Sequence, residues 1–96
     1  MPTYYMFGTY TAEGIKTISA KRTTRAVEVI KSCGGELHSM HALLGQHDVV
    51  LVADLPDARA AMRASIALNR LTGIEFSTAE AIPVEELDRA SEDAPA

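Results

Sequence analysis

Three histidines, His38, His41 and His47, fall within a ten-residue window of the segment from Glu36 to Asp57 (ELHSMHALLGQHDVVLVADLPD), and Asp48 directly follows the last of them. Imidazole titrates near neutrality, and a carboxylate beside it orients the ring and raises its basicity. A His-Asp pair can therefore act as a general base or as a polar anchor for a ligand in an apolar cavity. Three histidines also raise the question of a metal. His38 and His41 are an odd number of residues apart on one strand and so point to opposite faces, which keeps them from closing on one ion unless a bulge intervenes. No metal site is expected within a protomer. The chain has no phosphate-binding glycine loop, Walker motif, Ser-His-Asp constellation or haem-attachment motif, and no cofactor is expected.

Two strands joined at Gly45-Gln46 must position these groups. A two-residue turn sets Leu44 opposite His47, Leu43 opposite Asp48, Ala42 opposite Val49 and His41 opposite Val50, and a four-residue loop preserves this pairing. One face then carries Leu37, Ser39, His41, Leu43, Asp48, Val50 and Val52. The other carries His38, Met40, Ala42, Leu44, His47, Val49, Leu51 and Ala53, and its greater apolarity assigns it to the helix-covered core, with His38 and His47 at its ends near solvent. His41 and Asp48 become diagonal neighbours about 7 to 8 Å apart on the open face, within side-chain reach. They are the leading ligand-binding candidates, with Ser39 on the same face and Tyr5 from an aromatic first strand. Against this stands a structural role, with Asp48 capping backbone N–H groups of the turn and His41 bonding across an interface.

The remaining elements follow from periodicity and punctuation. Thr3 to Thr9 is a first strand, rich in aromatic and β-favouring residues. After a linker containing Gly14, Ala20 to Cys33 places Ala26, Val27, Ile30 and Cys33 at helical spacing, and Gly34-Gly35 supplies a stop. Asp54-Leu55-Pro56-Asp57 opens a second helix with an acidic cap, a first-turn proline and a further acid. Its body, Ala58 to Leu71, is read as burying Ala58, Ala61, Met62, Ser65, Ile66 and Leu68. Ile74 to Ile82 is a fourth strand, Val84 to Arg89 a short helical turn, and Ser91 to Ala96 a frayed end. The order β-α-β-β-α-β is that of the ferredoxin-like α+β fold, a four-stranded antiparallel sheet with two helices on one face. Residues 1–90 form one domain and 91–96 a flexible acidic tail.

Composition excludes some functions. Of 96 residues, 47% are hydrophobic and 23% charged, as in an ordinary folded domain. The net charge of −4 resides beyond Pro83, where Glu85, Glu86, Asp88, Glu92 and Asp93 face only Arg89. The neutral body argues against nucleic acid as a partner. One basic cluster near the first helix, with Lys21, Arg22 and Arg25 at its centre, is a candidate anion site, although solvated helix faces often look the same. No apolar run approaches a membrane span, and no secretory leader opens the chain, so a cytoplasmic protein without membrane contact is expected. The single Cys33 fits a reducing compartment.

The segment Val49 to Ala53 is apolar without alternation, which implies that both faces of its sheet are covered. With two long helices available, the second cover is read as another copy of the chain, and a homodimer or higher homo-oligomer is expected. A folded-back C-terminal helix is the alternative.

Gly45-Gln46-His47-Asp48 before Val-Val-Leu-Val, with Gly34-Gly35-Glu36-Leu37 and Tyr5-Met6-Phe7-Gly8-Thr9-Tyr10-Thr11 upstream, resembles the GYD domain family. The resemblance runs from Thr3 to about Leu87. Gly45 and Asp48 stand as in the family's signature, and His47 takes its aromatic place. What it implies is a dimeric α/β-barrel-like assembly of ferredoxin-like protomers. The resulting expectation is a homo-oligomeric small-molecule-binding or regulatory domain taking a small apolar or aromatic ligand. The alternatives are a cofactor-independent oxygenase or isomerase using His41 and Asp48, and a purely structural or partner-binding assembly domain.

Overall fold

Alternation in the first strand sets the two sides of the molecule. In the computed structural model, which describes residues 1–96, β1 runs from Thr3 to Tyr10 with Tyr4, Met6 and Gly8 buried and Tyr5 and Thr9 exposed. The other strands are β2 (Glu36–Ala42), β3 (Val49–Asp54) and β4 (Ile74–Ala81). All pairs are antiparallel, and the order is β2-β3-β1-β4. Sequence neighbours β1 and β2 are thus separated by β3, the arrangement of a split βαβ unit.

The helices are α1 (Ala12–Lys16), α2 (Ala20–Ser32), α3 (Ala58–Thr72) and α4 (Val84–Asp93). The expected linker around Gly14 is in fact the short α1, capped by the Thr11 hydroxyl, which accepts the Gly14 N–H at 3.0 Å. Helices α2 and α3 cover one face of the sheet. Met6, Leu51 and Ala53 from the strands meet Ala26 and Ile30 from α2 and Ala61, Ala64 and Leu68 from α3 in one buried cluster.

Two expectations about α3 are corrected. Its cap is Asp57, whose carboxylate accepts the Ala60 N–H at 2.8 Å; Asp54 instead ends β3. Its buried face is Ala60, Ala61, Ala64, Leu68 and Thr72, while Met62 and Ile66 stay 67% and 52% exposed. The reason is size: alanines let the helix lie close over the sheet on its β4 side, and the bulky residues turn aside, over a groove shared with Phe76 and Thr78 of β4.

Close approach also explains Gly8. A Cβ built there would lie 2.6 Å from Val49 Cγ1 and 2.7 Å from Ile74 Cγ2, so β1 carries no side chain where β3 and β4 flank it. At the far end of the chain the helical turn expected at Val84 to Arg89 extends to Asp93, with every residue exposed. It does not fold back over the sheet.

Candidate functional site

The open face of the sheet is built by residues that alternate away from the helices. Row by row across β2, β3, β1 and β4, the register aligns His41, Val50, Phe7 and Ser77, and beside them Ser39, Val52, Tyr5 and Ala79. The centre is an aromatic and β-branched surface. Tyr5 and Phe7 lie with ring centroids 6.4 Å apart, and Phe7 lies 5.1 Å from the His47 ring. Tyr5 is 40% exposed; no element of the protomer covers this patch.

One end of the face holds a polar constellation that strand parity had not placed there. The register shifts between Leu37, opposite Ala53, and Ser39, opposite Val52, leaving His38 as an extra residue in a bulge. Leu37 consequently packs against the core instead of facing outward. His38, expected on the core side, reaches Asp54 across the open face, with Nε2 2.7 Å from Oδ2. The Thr3 hydroxyl donates to Asp54 Oδ1 at 2.7 Å. The Thr3 bond, then the His38 bond and charge and the N-terminal ammonium, hold the Asp54 carboxyl below its usual range against the opposing effect of desolvation.

Across the rest of the sheet, the expected pairs Ala42–Val49 and His41–Val50 are present. The two-residue turn is not. Strand β2 stops at Ala42 and β3 starts at Val49, leaving residues 43–48 as a connection closed by the Leu43 N–H donating to the Asp48 carbonyl at 2.8 Å. Gly45 has φ +151° in this loop, and a Cβ on it would touch nothing. Backbone conformation, not space, favours glycine there.

Because His47 and Asp48 precede the strand, alternation does not direct them. His47, expected at the core side, lies against Phe7 with Nδ1 3.4 Å from the Thr9 hydroxyl. Asp48 turns to β1: its Oδ2 accepts the Tyr10 N–H at 2.8 Å, and its own N–H donates to the Gly8 carbonyl. His41 is exposed, and no hydrogen bond joins it to Asp48. The imidazole–carboxylate pair of this face is His38 with Asp54.

A model of the GYD domain matches residues 4–91. The chain belongs to the GYD domain family. A curated relative, the glutamine synthetase and cystathionine beta-lyase binding protein of Thermus thermophilus, is 33% identical over 91 residues, covering 91% of this chain and 95% of the relative. Among solved structures, the leucine response regulatory protein of Mycobacterium tuberculosis superposes with a TM-score of 0.57 at 11% identity, over 85% of this chain and 51% of that one. That likeness is one of fold alone.

In this GYD domain Gly45 and Asp48 do local structural work, the first in the loop and the second on the β1 backbone. The basic cluster is divided as well. Lys21, Arg22 and Arg25 border a depression of about 170 Å³ with Thr17 and Ser19. Arg22, however, donates to the Gly14 carbonyl and the Thr17 hydroxyl and lies 5.9 Å over the Tyr10 ring. That leaves Lys21 and Arg25 free to meet an anion. No group of three or more His, Cys, Asp or Glu side chains is placed to hold a metal. No helix is long and apolar enough to cross a membrane.

The signal that could have revealed the His38–Asp54 pair is the apolar spacing of β2. Leu37, Met40 and Ala42 are three and then two residues apart, and a step of three in a strand with one buried face marks a bulge.

Proposed function

We propose that this GYD domain is a homo-oligomeric binding or regulatory module of the cytoplasm. A second copy of the chain and a small apolar or aromatic ligand meet on the face formed by Tyr5, Phe7, Val50 and Val52. The observation that carries this reading is that uncovered patch at the middle of the sheet. Apolar surface of this kind in the centre of a small domain is best accommodated by burial against a like surface, and a two-fold pairing of sheets offers it. The name of the Thermus relative supports a role exercised by binding other proteins.

Val52 lies between Ser39 and Tyr5 in the register, so Val52→Glu puts a charge at the middle of the proposed contact without touching the core. Losing a central contact of this type costs about 2 kcal/mol or more, roughly 30-fold in dissociation constant. Light scattering on a sizing column should show the wild type associated and the variant dissociated with an unchanged circular dichroism spectrum. Equal masses for the two would reject the face.

A second reading is favoured by the His38–Asp54–Thr3 constellation. A carboxylate that orients an imidazole is suited to proton abstraction, and a cofactor-independent isomerase or oxygenase, its cavity closed by a partner copy, would use His38 as its base. Retention of ligand conversion by His38→Ala would remove that reading.

A further inference from the structure

Helix α4 is amphipathic and has nothing beneath it. Val84 and Leu87 are one turn apart and 62% and 63% exposed, with Ile82 just before them at 65%. Around this stripe stand Glu85, Glu86, Asp88, Glu92 and Asp93, and the one cation, Arg89, is paired with Glu86 at 2.6 Å. Helices of ten residues are marginal in water unless an apolar face is packed. α4 therefore calls for a surface that is apolar in the middle and basic at its margins.

The chain carries such a surface. Between α2 and α3 on the outer side of the helix layer runs a groove of about 670 Å³, with Val29, Ala67 and Leu71 in its wall. Arg25, Arg63 and Arg70 border it against the single acid Glu28, and none of the three arginines is in a salt bridge. At about 1.5 Å per residue α4 is about 15 Å long, which fits within the roughly 20 Å of α2.

We propose that α4 of one copy lies in the α2/α3 groove of a second copy, with Val84 and Leu87 on the apolar wall and its acids against Arg25, Arg63 and Arg70. Its own groove is out of reach. Only Ile82 and Pro83 separate β4 from α4; two residues span about 7 Å, and the path would have to pass around α3, about 10 Å in diameter. A helix this short binds weakly alone, but the contact gains from any other association that already holds the copies together. It involves neither face of the sheet and does not depend on the open-face pairing.

The test is photo-crosslinking of the full-length protein with a benzophenone amino acid in place of Leu87, in an equal mixture of ¹⁵N-labelled and unlabelled chains. Mixed-isotope products should join residue 87 to peptides from 25–33 and 63–71. Their yield should fall about tenfold in Arg63→Glu/Arg70→Glu, through like-charge repulsion, and recover when Glu85→Arg and Asp88→Arg are added. Melting curves of the charge variants check that they fold. Crosslinks within one chain, crosslinks to the open sheet face, an absence of mixed products at concentrations where the protein is associated, or a reversal without rescue would each overturn the proposal.

Discussion

Replacing Asp48 with alanine tests whether this acid is structural. Its carboxylate accepts the Tyr10 N–H at 2.8 Å in a half-buried setting at the end of β1. Alanine would leave that donor without a partner. Stranding a buried polar group costs about 1–3 kcal/mol, and half-burial places this one in the lower part of the range, about 1–2 kcal/mol. For a domain under 100 residues each kcal/mol moves the midpoint by about 4–8 °C, so Asp48→Ala should melt about 4–16 °C below wild type. Asp48→Asn keeps an oxygen acceptor and should recover part of the loss. Thermal unfolding followed by far-ultraviolet circular dichroism reads both. A melting point for Asp48→Ala within about 2 °C of wild type would refute the structural assignment and return Asp48 to the list of ligand-facing groups.

Gly8→Ala forces a methyl to within 2.6 Å of Val49 Cγ1 and should cost about 1–3 kcal/mol, seen as a lower urea midpoint at unchanged slope. Leu68→Ala, at a fully buried position of α3, should cost about 2–5 kcal/mol in the same assay. Asp54 has a lowered folded-state pKa, so as pH falls its unfolded form takes up a proton first, and the stabilisation present above about pH 4 is lost as pH drops through the folded value. Asp54→Asn should flatten the acid limb of stability against pH; an unchanged limb in urea titrations would count against the Thr3–Asp54–His38 network.

The element order was legible because local signals agree: a β-favouring run at Thr3, the Gly34-Gly35 stop, an apolar run at Val49 and a glycine at position 73. The hairpin register was legible at Ala42–Val49 and His41–Val50 because a burial pattern fixes strand pairing. It failed toward Glu36, where one inserted residue reverses the direction of everything before it and sends Leu37 inward. The candidate pair failed for a related reason. Alternation constrains only residues inside a strand, and Asp48 lies just outside one, free to bond the β1 backbone. The α3 face was misread because the sequence ranks Met62 and Ile66 above alanine for burial, while the geometry of a helix close over a sheet favours the smaller side chain.

Native mass spectrometry of the purified full-length protein at micromolar concentration decides whether the open sheet face joins copies of the chain around a ligand, since it reports stoichiometry and any retained small molecule together. The expected spectrum is that of a dimer or higher homo-oligomer with no free monomer in excess, carrying added mass when a small apolar or aromatic ligand is retained. A monomer alone, bare of ligand, would contradict it.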